Sequence, residues 1–195
     1  YAIRHEQAVA LEASMGLLGP VNTMTRRYHT LQRLNKWTLD EALALSGLEP
    51  FPQTFETFNA SSASLRRALT VAQQFSLEHF PPFLTLVGKP GVGKSHLAIA
   101  IGRPLCGEGL FVLYRPERLL LPELRHAIEQ SANPMYDYQA CDLLIIDDLG
   151  LESTTPWAKA QLDSIIDSRY TTQRMTVVCT NAAPDEISPR IASRL

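Results

Sequence analysis

The sequence has few cysteines and no long apolar run, and each of these deficits excludes a class of protein. Its three cysteines lie far apart in apolar stretches and form no Cys-x-x-Cys pair, which excludes a disulfide framework and a cysteine-based zinc site. No run approaches the roughly 18 apolar residues that cross a bilayer, and the first residues lack the apolar core of a signal peptide. We therefore expect a cytoplasmic protein with reduced cysteines and no contact with a membrane.

The chain also lacks an excess of charge of either sign. Eighteen Lys and Arg against twenty Asp and Glu give a net charge of -2, which excludes a protein held on nucleic acid by bulk charge but leaves room for a local basic patch. Apolar residues make up 45% and charged residues 19% of the 195 residues, so the composition is that of a folded domain. This length predicts one domain with an appendage.

Two prolines separated by one residue, Pro50 and Pro52, mark a predicted boundary within the chain. That spacing suits neither a helix nor the interior of a sheet. Residues 1–49 have the pattern of a small helical segment, in which a capping box at Thr38 begins a short helix. Residues 50–195 are predicted to form the main domain.

Four short apolar runs alternate with helical stretches in this main domain. Apolar runs without a polar alternation are typical of strands buried on both faces of a parallel sheet, and the spacing between them leaves room for crossover helices. The sequence therefore predicts an α/β domain of three layers. The four predicted strands are residues 83–87, 110–114, 143–146 and 175–179.

A glycine-rich loop follows the first predicted strand. Residues 88–95 read Gly-Lys-Pro-Gly-Val-Gly-Lys-Ser and match the phosphate-loop pattern G-x-x-x-x-G-K-[ST] at every position. The glycines allow successive backbone N–H groups to point at a phosphate, next to the positive end of the following helix. Lys94 is expected to reach the β- and γ-phosphates of ATP, and the Ser95 hydroxyl to bind Mg²⁺. The other expected nucleotide contacts are Gly88, Pro90, Gly91, Val92, Gly93 and His96.

Two carboxylates, Asp147 and Asp148, end the third apolar run. Ligands of open α/β sheets bind beyond the carboxyl ends of the strands, so both acids are expected to face the phosphate loop. Asp147 suits a role in holding Mg²⁺, and Asp148 is placed to orient or deprotonate an attacking water, which indicates hydrolysis. Asp is also common in turns after strands, so the local sequence alone is equally compatible with a turn.

Two polar features near the end of the chain are further candidates. If the fourth strand lies beside the first and third, Asn181 sits near the γ-phosphate and can hold the attacking water; a turn-forming Asn explains the local sequence as well. Arg190 and Arg194 are four residues apart on a predicted helix that Ser188 and Pro189 begin. A solvated helix face is the alternative explanation for these arginines.

Together these motifs resemble those of the DnaC/DnaI-type helicase loaders and, equally, of the IstB-type transposition helper ATPases, both of the AAA+ class. The likeness rests on Gly-Lys-Ser-His-Leu-Ala, on Leu-Leu-Ile-Ile-Asp-Asp-Leu-Gly, on a strand ending in Thr-Asn and on the closing Ser-Arg-Leu. It runs from about Thr54 to Leu195 and also matches Arg169 to a family arginine without an assigned role. The resemblance implies Walker A at Lys94 and Ser95, Walker B at Asp147 and Asp148, sensor 1 at Asn181 and a trans-acting arginine finger at Arg194.

The sequence departs from the general AAA+ pattern in two respects. Asp148 stands where many AAA+ proteins have Glu, so slow hydrolysis is expected. The sequence stops before a fifth strand and a lid, so no sensor 2 arginine is identified.

The resemblance implies an ATPase that assembles as a ring or spiral on DNA and loads or remodels a replicative helicase. The alternatives are a transposition helper that binds DNA and positions a transposase, and a binding switch for which turnover matters little. Basic residues interleaved with aromatics in the N-terminal segment could contact a single strand of DNA, dock on the helicase or transposase, or form a solvated helix face. These residues are Arg26, Arg27, Tyr28, His29, Arg33, Lys36 and Trp37.

Overall fold

The structure of the chain, a computed structural model, describes residues 38–129, 135–150, 155–182 and 193. The basic and aromatic residues between Arg26 and Trp37 lie outside the described residues. The described part contains four strands and six helices, and none of these helices is both long and apolar enough to cross a membrane. In chain order they are α1 (Leu39–Ser46), α2 (Ala63–Glu78), β1 (Phe83–Val87), α3 (Lys94–Gly107), β2 (Val112–Pro116), α4 (Glu117–Glu129), α5 (Met135–Ala140), β3 (Leu143–Leu149), α6 (Pro156–Thr171) and β4 (Met175–Thr180).

The four strands form one parallel sheet in the order β1-β4-β3-β2. The strand that comes last in the described sequence, β4, is therefore inserted between β1 and β3. Its final residue, Thr180, pairs with Val87 of β1 on one side and with Leu149 of β3 on the other. This order brings together the carboxyl ends of the three strands that precede the predicted functional residues.

The hydrophobic core lies in two layers, one on each face of the sheet. Consecutive residues of a strand point to opposite faces, so Ile145 packs in one layer with helices α1 to α3, and Ile146 packs in the other with α4 to α6. Both side chains are fully buried, and burial of a side chain of this size contributes about 1.5–3 kcal/mol to stability. The arrangement confirms the predicted three-layer α/β domain.

Three strands differ in extent from the prediction, and one of them, β4, runs a single residue further, to Thr180. β2 begins at Val112 and not at Leu110, because the N–H groups of Gly109 and Leu110 donate to the carbonyls of Cys106 and Leu105 and close the last turn of α3. β2 ends at Pro116, which an edge strand tolerates because its missing N–H is not needed by a neighbour. The third strand is longer than predicted. β3 continues past Ile146 through Asp147 and Asp148 to Leu149.

The helix predicted before residue 50 packs on the α/β core. The Thr38 hydroxyl accepts a hydrogen bond from the Glu41 N–H, and the Glu41 carboxylate accepts one from the Thr38 N–H, which confirms the capping box of α1. Leu43 of α1 and the following Leu48 are buried in the same layer as α3. Residues 38–48 are therefore attached to the main domain, although they precede the predicted boundary at residue 49.

Candidate functional site

The phosphate loop connects the end of β1 to the start of α3. Gly91 and Gly93 have φ angles of +81° and +99°, a region that side chains disfavour. A Cβ on Gly93 would lie 2.6 Å from the Phe58 ring, whereas a Cβ on Gly91 would meet no heavy atom within 4 Å. The loop is thus packed against Phe58 on one side and leaves open space at Gly91.

Lys94 is held over the phosphate loop by three oxygen atoms. Its Nζ donates to the Gly88 carbonyl at 2.8 Å, to the Lys89 carbonyl at 3.0 Å and to the Asn181 Oδ1 at 2.5 Å. The side chain is only 8% exposed. Asn181 reaches Lys94 because it directly follows β4, which lies beside β1.

The Walker B candidate Asp147 lies across from the start of α3. Its Oδ1 accepts from the Ser95 hydroxyl and from the Asp148 N–H, both at 3.1 Å. Its Oδ2 accepts from the Tyr114 hydroxyl at 2.7 Å. Tyr114 has no place in the motifs read from the sequence, since a tyrosine on an apolar strand gives no sign of its partner.

Asp148 has an unusual backbone conformation for a strand residue. Its φ is +56°, and the pairing of β3 with β4 is irregular between Ile146 and Leu149. Asp tolerates this left-handed region better than most residues do. The bulge separates the two acids, so that Asp147 is buried and Asp148 is half-buried beside it.

The hydroxyl and thiol nearest to the two acids remain protonated. Burial, followed by the hydrogen bond to Asp147, raises the pKa of Tyr114 above its usual value. Burial and the charge of Asp147 raise the pKa of the Cys179 thiol well above its usual value. The Tyr114 hydroxyl therefore acts as a donor to this carboxylate at neutral pH.

His96, a predicted nucleotide contact, faces the segment that precedes α2. Its Nε2 lies 2.8 Å from the Thr54 carbonyl and 3.2 Å from the Thr57 hydroxyl. A carbonyl oxygen can only accept, so Nε2 carries the hydrogen. The Phe58 ring meets the His96 ring edge-on, with 5.3 Å between centroids. These contacts fasten residues 54–58 to the first turn of α3.

A cleft of about 840 Å³ lies between this segment, the start of α2 and the phosphate loop. Its size is within the usual range for small-molecule sites. Its floor is the carboxyl end of β1 and the loop from Gly91 to Lys94, and its walls include Phe58, Asn59 and Arg67. The cleft thus extends from the phosphate loop toward residues that could surround the base of a nucleotide.

The three arginines singled out near the end of the sequence have different outcomes. Arg169 is fully buried and does not lie at the site, because its guanidinium donates to backbone carbonyls that include those of Tyr138, Cys141 and Met175. Burial lowers the pKa of this guanidinium below its usual value. Arg194, like Arg190, lies outside the described residues.

Comparisons with known proteins agree in the class of fold. A family model described as IstB-like ATP binding protein matches residues 2–188. The replicative helicase loader DnaC of Escherichia coli K12 is 27% identical over 178 residues, which cover 87% of this chain and 73% of the relative.

Two solved structures extend this likeness to the fold. A crystal structure of the DnaC helicase loader has a TM-score of 0.66 and 24% identity, covering 74% of this chain and 92% of that one. AMPPCP-bound DnaA from Aquifex aeolicus has a TM-score of 0.65 and 22% identity, covering 72% of this chain but only 46% of that one. The predicted P-loop fold of the AAA+ class is confirmed.

Proposed function

The chain belongs to the family of IstB-like ATP-binding proteins, and from this membership we propose that it hydrolyses ATP in order to load or remodel a replicative helicase on DNA. One observation carries the ATPase part of the proposal. Four side chains from the ends of three strands meet at the carboxyl end of the sheet. They are Lys94, Ser95, Asp147 and Asn181. This is the set of donors, acceptors and metal-binding oxygens that phosphoryl transfer to water requires.

We propose that ATP binds in the cleft with its phosphates over the loop. Lys94 would exchange its bonds to the loop carbonyls for the β- and γ-phosphates, and the open space at Gly91 leaves the backbone N–H groups accessible. The loop contacts predicted from the sequence at Gly88, Pro90, Val92 and Gly93 belong to this cradle. His96 supports the site indirectly, because its hydrogen bond to the Thr54 carbonyl holds the segment 54–58 in place.

The residues present fit a magnesium ion. Mg²⁺ prefers oxygen ligands and is usually held by one or two carboxylates together with substrate phosphates. Ser95 and Asp147 offer a hydroxyl and a carboxylate 3.1 Å apart, and the described residues contain no cluster of three or more acids, histidines or cysteines that would hold an ion alone. When bound, the ion would neutralise charge on the phosphates.

We propose that Asp148 and Asn181 act on the attacking water. Asp148 is the half-buried acid next to the metal-binding carboxylate, and it would accept the proton of the water as general base. Asn181, which already contacts Lys94, would hold the water in line with the γ-phosphate. Arg194 of a neighbouring copy would supply positive charge to the transition state.

The assignment of a helicase as partner rests on the relatives. DnaC of Escherichia coli K12, named as a replicative helicase loader, is 27% identical over 87% of this chain. A second function is favoured by the family model, whose IstB-like description matches the chain from residue 2 to residue 188. In that case the chain would be a transposition helper that binds DNA and positions a transposase.

The test of the nucleotide site is Lys94→Ala, with Lys89→Ala as the control. Both lysines lie on the same loop, but Lys89 is exposed and only Lys94 is held over the glycines. Lys94→Ala should melt at a similar temperature without nucleotide and lose the stabilisation that ATP gives the parent protein. Lys89→Ala should keep it. Undiminished stabilisation of Lys94→Ala by ATP would contradict the site.

The partner is tested with purified components. The parent protein, with ATP, should be retained by the immobilised replicative helicase of the same organism, and Lys94→Ala should be retained poorly. Retention by duplex DNA and a transposase, without retention by the helicase, would select the transposition function. Retention by the helicase and by the transposase, without measurable hydrolysis of ATP, would select a nucleotide-dependent switch.

A further inference from the structure

The carboxylate of Asp147 is enclosed by donors, and one of them comes from the far edge of the sheet. Asp147 is 3% exposed and accepts at Oδ1 from the Ser95 hydroxyl, which belongs to the phosphate loop. At Oδ2 it accepts from the Tyr114 hydroxyl. The bond to Tyr114, at 2.7 Å, is shorter than the bond to Ser95, at 3.1 Å. Tyr114 is therefore the tighter of the two side-chain hydroxyl partners.

Tyr114 itself is held firmly on the edge strand β2. Its side chain is 6% exposed, and its ring lies edge-on against Phe51, with 5.4 Å between centroids. Its backbone pairs in parallel register opposite Ile145 of β3. The backbone position and the ring packing together fix the place of the hydroxyl, so the hydrogen bond holds Oδ2 of Asp147 at a fixed point.

We infer that Tyr114 is a positioning residue that fixes the orientation of the Asp147 carboxylate so that it can bind Mg²⁺ together with Ser95. The inference rests on the proposed function, since it concerns the ion at the same site. A carboxylate whose Oδ2 accepts this hydrogen bond cannot rotate about its Cβ–Cγ bond without breaking the hydrogen bond. Oδ1 is then kept 3.1 Å from the Ser95 hydroxyl, where both oxygens can reach one ion.

The magnitude of such an effect is set by comparable sites. Residues that orient metal ligands without touching the metal typically change metal affinity or activity by about 10- to 100-fold when they are replaced. Tyr114 makes a single hydrogen bond to the carboxylate, so we expect an effect at the lower end of that range. The effect should appear only in measurements that depend on the ion.

The test replaces the hydroxyl alone, in Tyr114→Phe, and keeps the ring that packs on Phe51. Tyr138→Phe is the matched control, because Tyr138 is also buried and its hydroxyl donates at 2.7 Å to a carboxylate, that of Glu123. The dissociation constant of a fluorescent non-hydrolysable ATP analogue is measured with Mg²⁺ and with EDTA. The constant in EDTA divided by the constant in Mg²⁺ gives a ratio that reports how much the ion tightens binding.

Tyr114→Phe should lower this ratio by about tenfold and leave the constant in EDTA unchanged, while Tyr138→Phe should match the parent protein. An unchanged or increased ratio in Tyr114→Phe would overturn the inference, as would weaker binding in EDTA or an equal loss in Tyr138→Phe. A parent protein that does not bind the analogue would instead contradict the proposed function.

A second comparison tests whether Tyr114 acts through Asp147. In the Asp147→Asn background, removal of the Tyr114 hydroxyl should cause no further fall in the ratio, because the ion has already lost that carboxylate. A further fall of similar size in the double variant would show that the hydroxyl acts by another route, and would overturn the inference.

Discussion

At the scale of single residues, the bulge at Asp148 places two adjacent acids in different environments, one buried and the other half-buried. Consecutive residues of a regular strand would point to opposite faces of the sheet. The positive φ of Asp148 and the shifted pairing after Ile146 interrupt that alternation. A non-glycine residue in this region is uncommon, although Asp tolerates it better than most residues, and such residues cluster at functional sites. The backbone conformation therefore supports a functional role for Asp148.

Asp148→Asn is expected to bind ATP like the parent protein but to hydrolyse it roughly a hundredfold more slowly, which is the usual effect of a lost general base. Mg²⁺ would still be held through Ser95 and Asp147. The measurement is phosphate release under saturating ATP. Asp40→Asn, an exposed acid in the first turn of α1, is the control and should keep the parent rate. Unchanged turnover in Asp148→Asn would remove this residue from the mechanism and leave the water to Asn181.

At the scale of elements, Arg169 joins α6 to the neighbouring parts of the second layer. Its Nε donates to the Thr176 hydroxyl, and its Nη atoms donate to carbonyls of α5, of the turn before β3 and of the first residue of β4. The guanidinium suits this task because it has five N–H donors in a fixed plane. The arginine matched by the family resemblance thus has a structural position in this chain.

Arg169→Met should lower the free energy of unfolding by about 3 kcal/mol or more, because each buried carbonyl left without a donor costs about 1–3 kcal/mol. Arg174→Met is the matched control. Arg174 donates to the Ala140 carbonyl at the end of α5 but is only half-buried, so water can replace it and the loss should be about 1 kcal/mol. Urea unfolding measures both variants. Equal losses would mean that Arg169 contributes no more than a surface arginine.

At the scale of the whole molecule, the sheet order assembles the site at the carboxyl ends of three strands, and Lys94 is the cation that the described residues hold over the phosphate loop. Of the two lysines on the phosphate loop, only Lys94 is held over the glycines, and Lys89 is exposed. An arginine supplied in trans can contribute a factor of about a thousand or more to hydrolysis, and it requires head-to-tail packing of identical copies. Arg194, outside the described residues, is the proposed finger, and Arg190 is the fallback.

Arg194→Ala should bind ATP normally, hydrolyse it poorly and assemble weakly. Mixing it with Lys94→Ala should restore part of the activity, because an intact nucleotide site can then receive the finger of its neighbour. The measurement is the ATPase rate against the mixing ratio at constant total protein. A straight line between the rates of the two single variants would mean that each site is complete within one chain.

Much of the site could be predicted because its motifs are local in the sequence. The spacing of Gly88, Lys94 and Ser95, the acids after an apolar run and the capping box at Thr38 each depend on neighbours a few residues away. Turn chemistry and backbone preferences act over that range, so their elements form where the sequence places them. Among the strands, the limits of β2, β3 and β4 moved. The closing turn of α3 takes the first residues predicted for β2, and β3 continues through an irregular pairing to Leu149.

The sequence by itself determined the layers and the phosphate loop, whereas only the tertiary structure decided which side chains meet. Lys94 and Asn181 are 87 residues apart, and Tyr114 and Asp147 are 33 apart. These contacts depend on β4 lying between β1 and β3 and on β2 lying at the edge. Hydrophobic patterning makes a strand buried but does not specify its neighbour, because any apolar strand can satisfy the same backbone bonds. Strand order is set by the packing of the crossover helices on both faces.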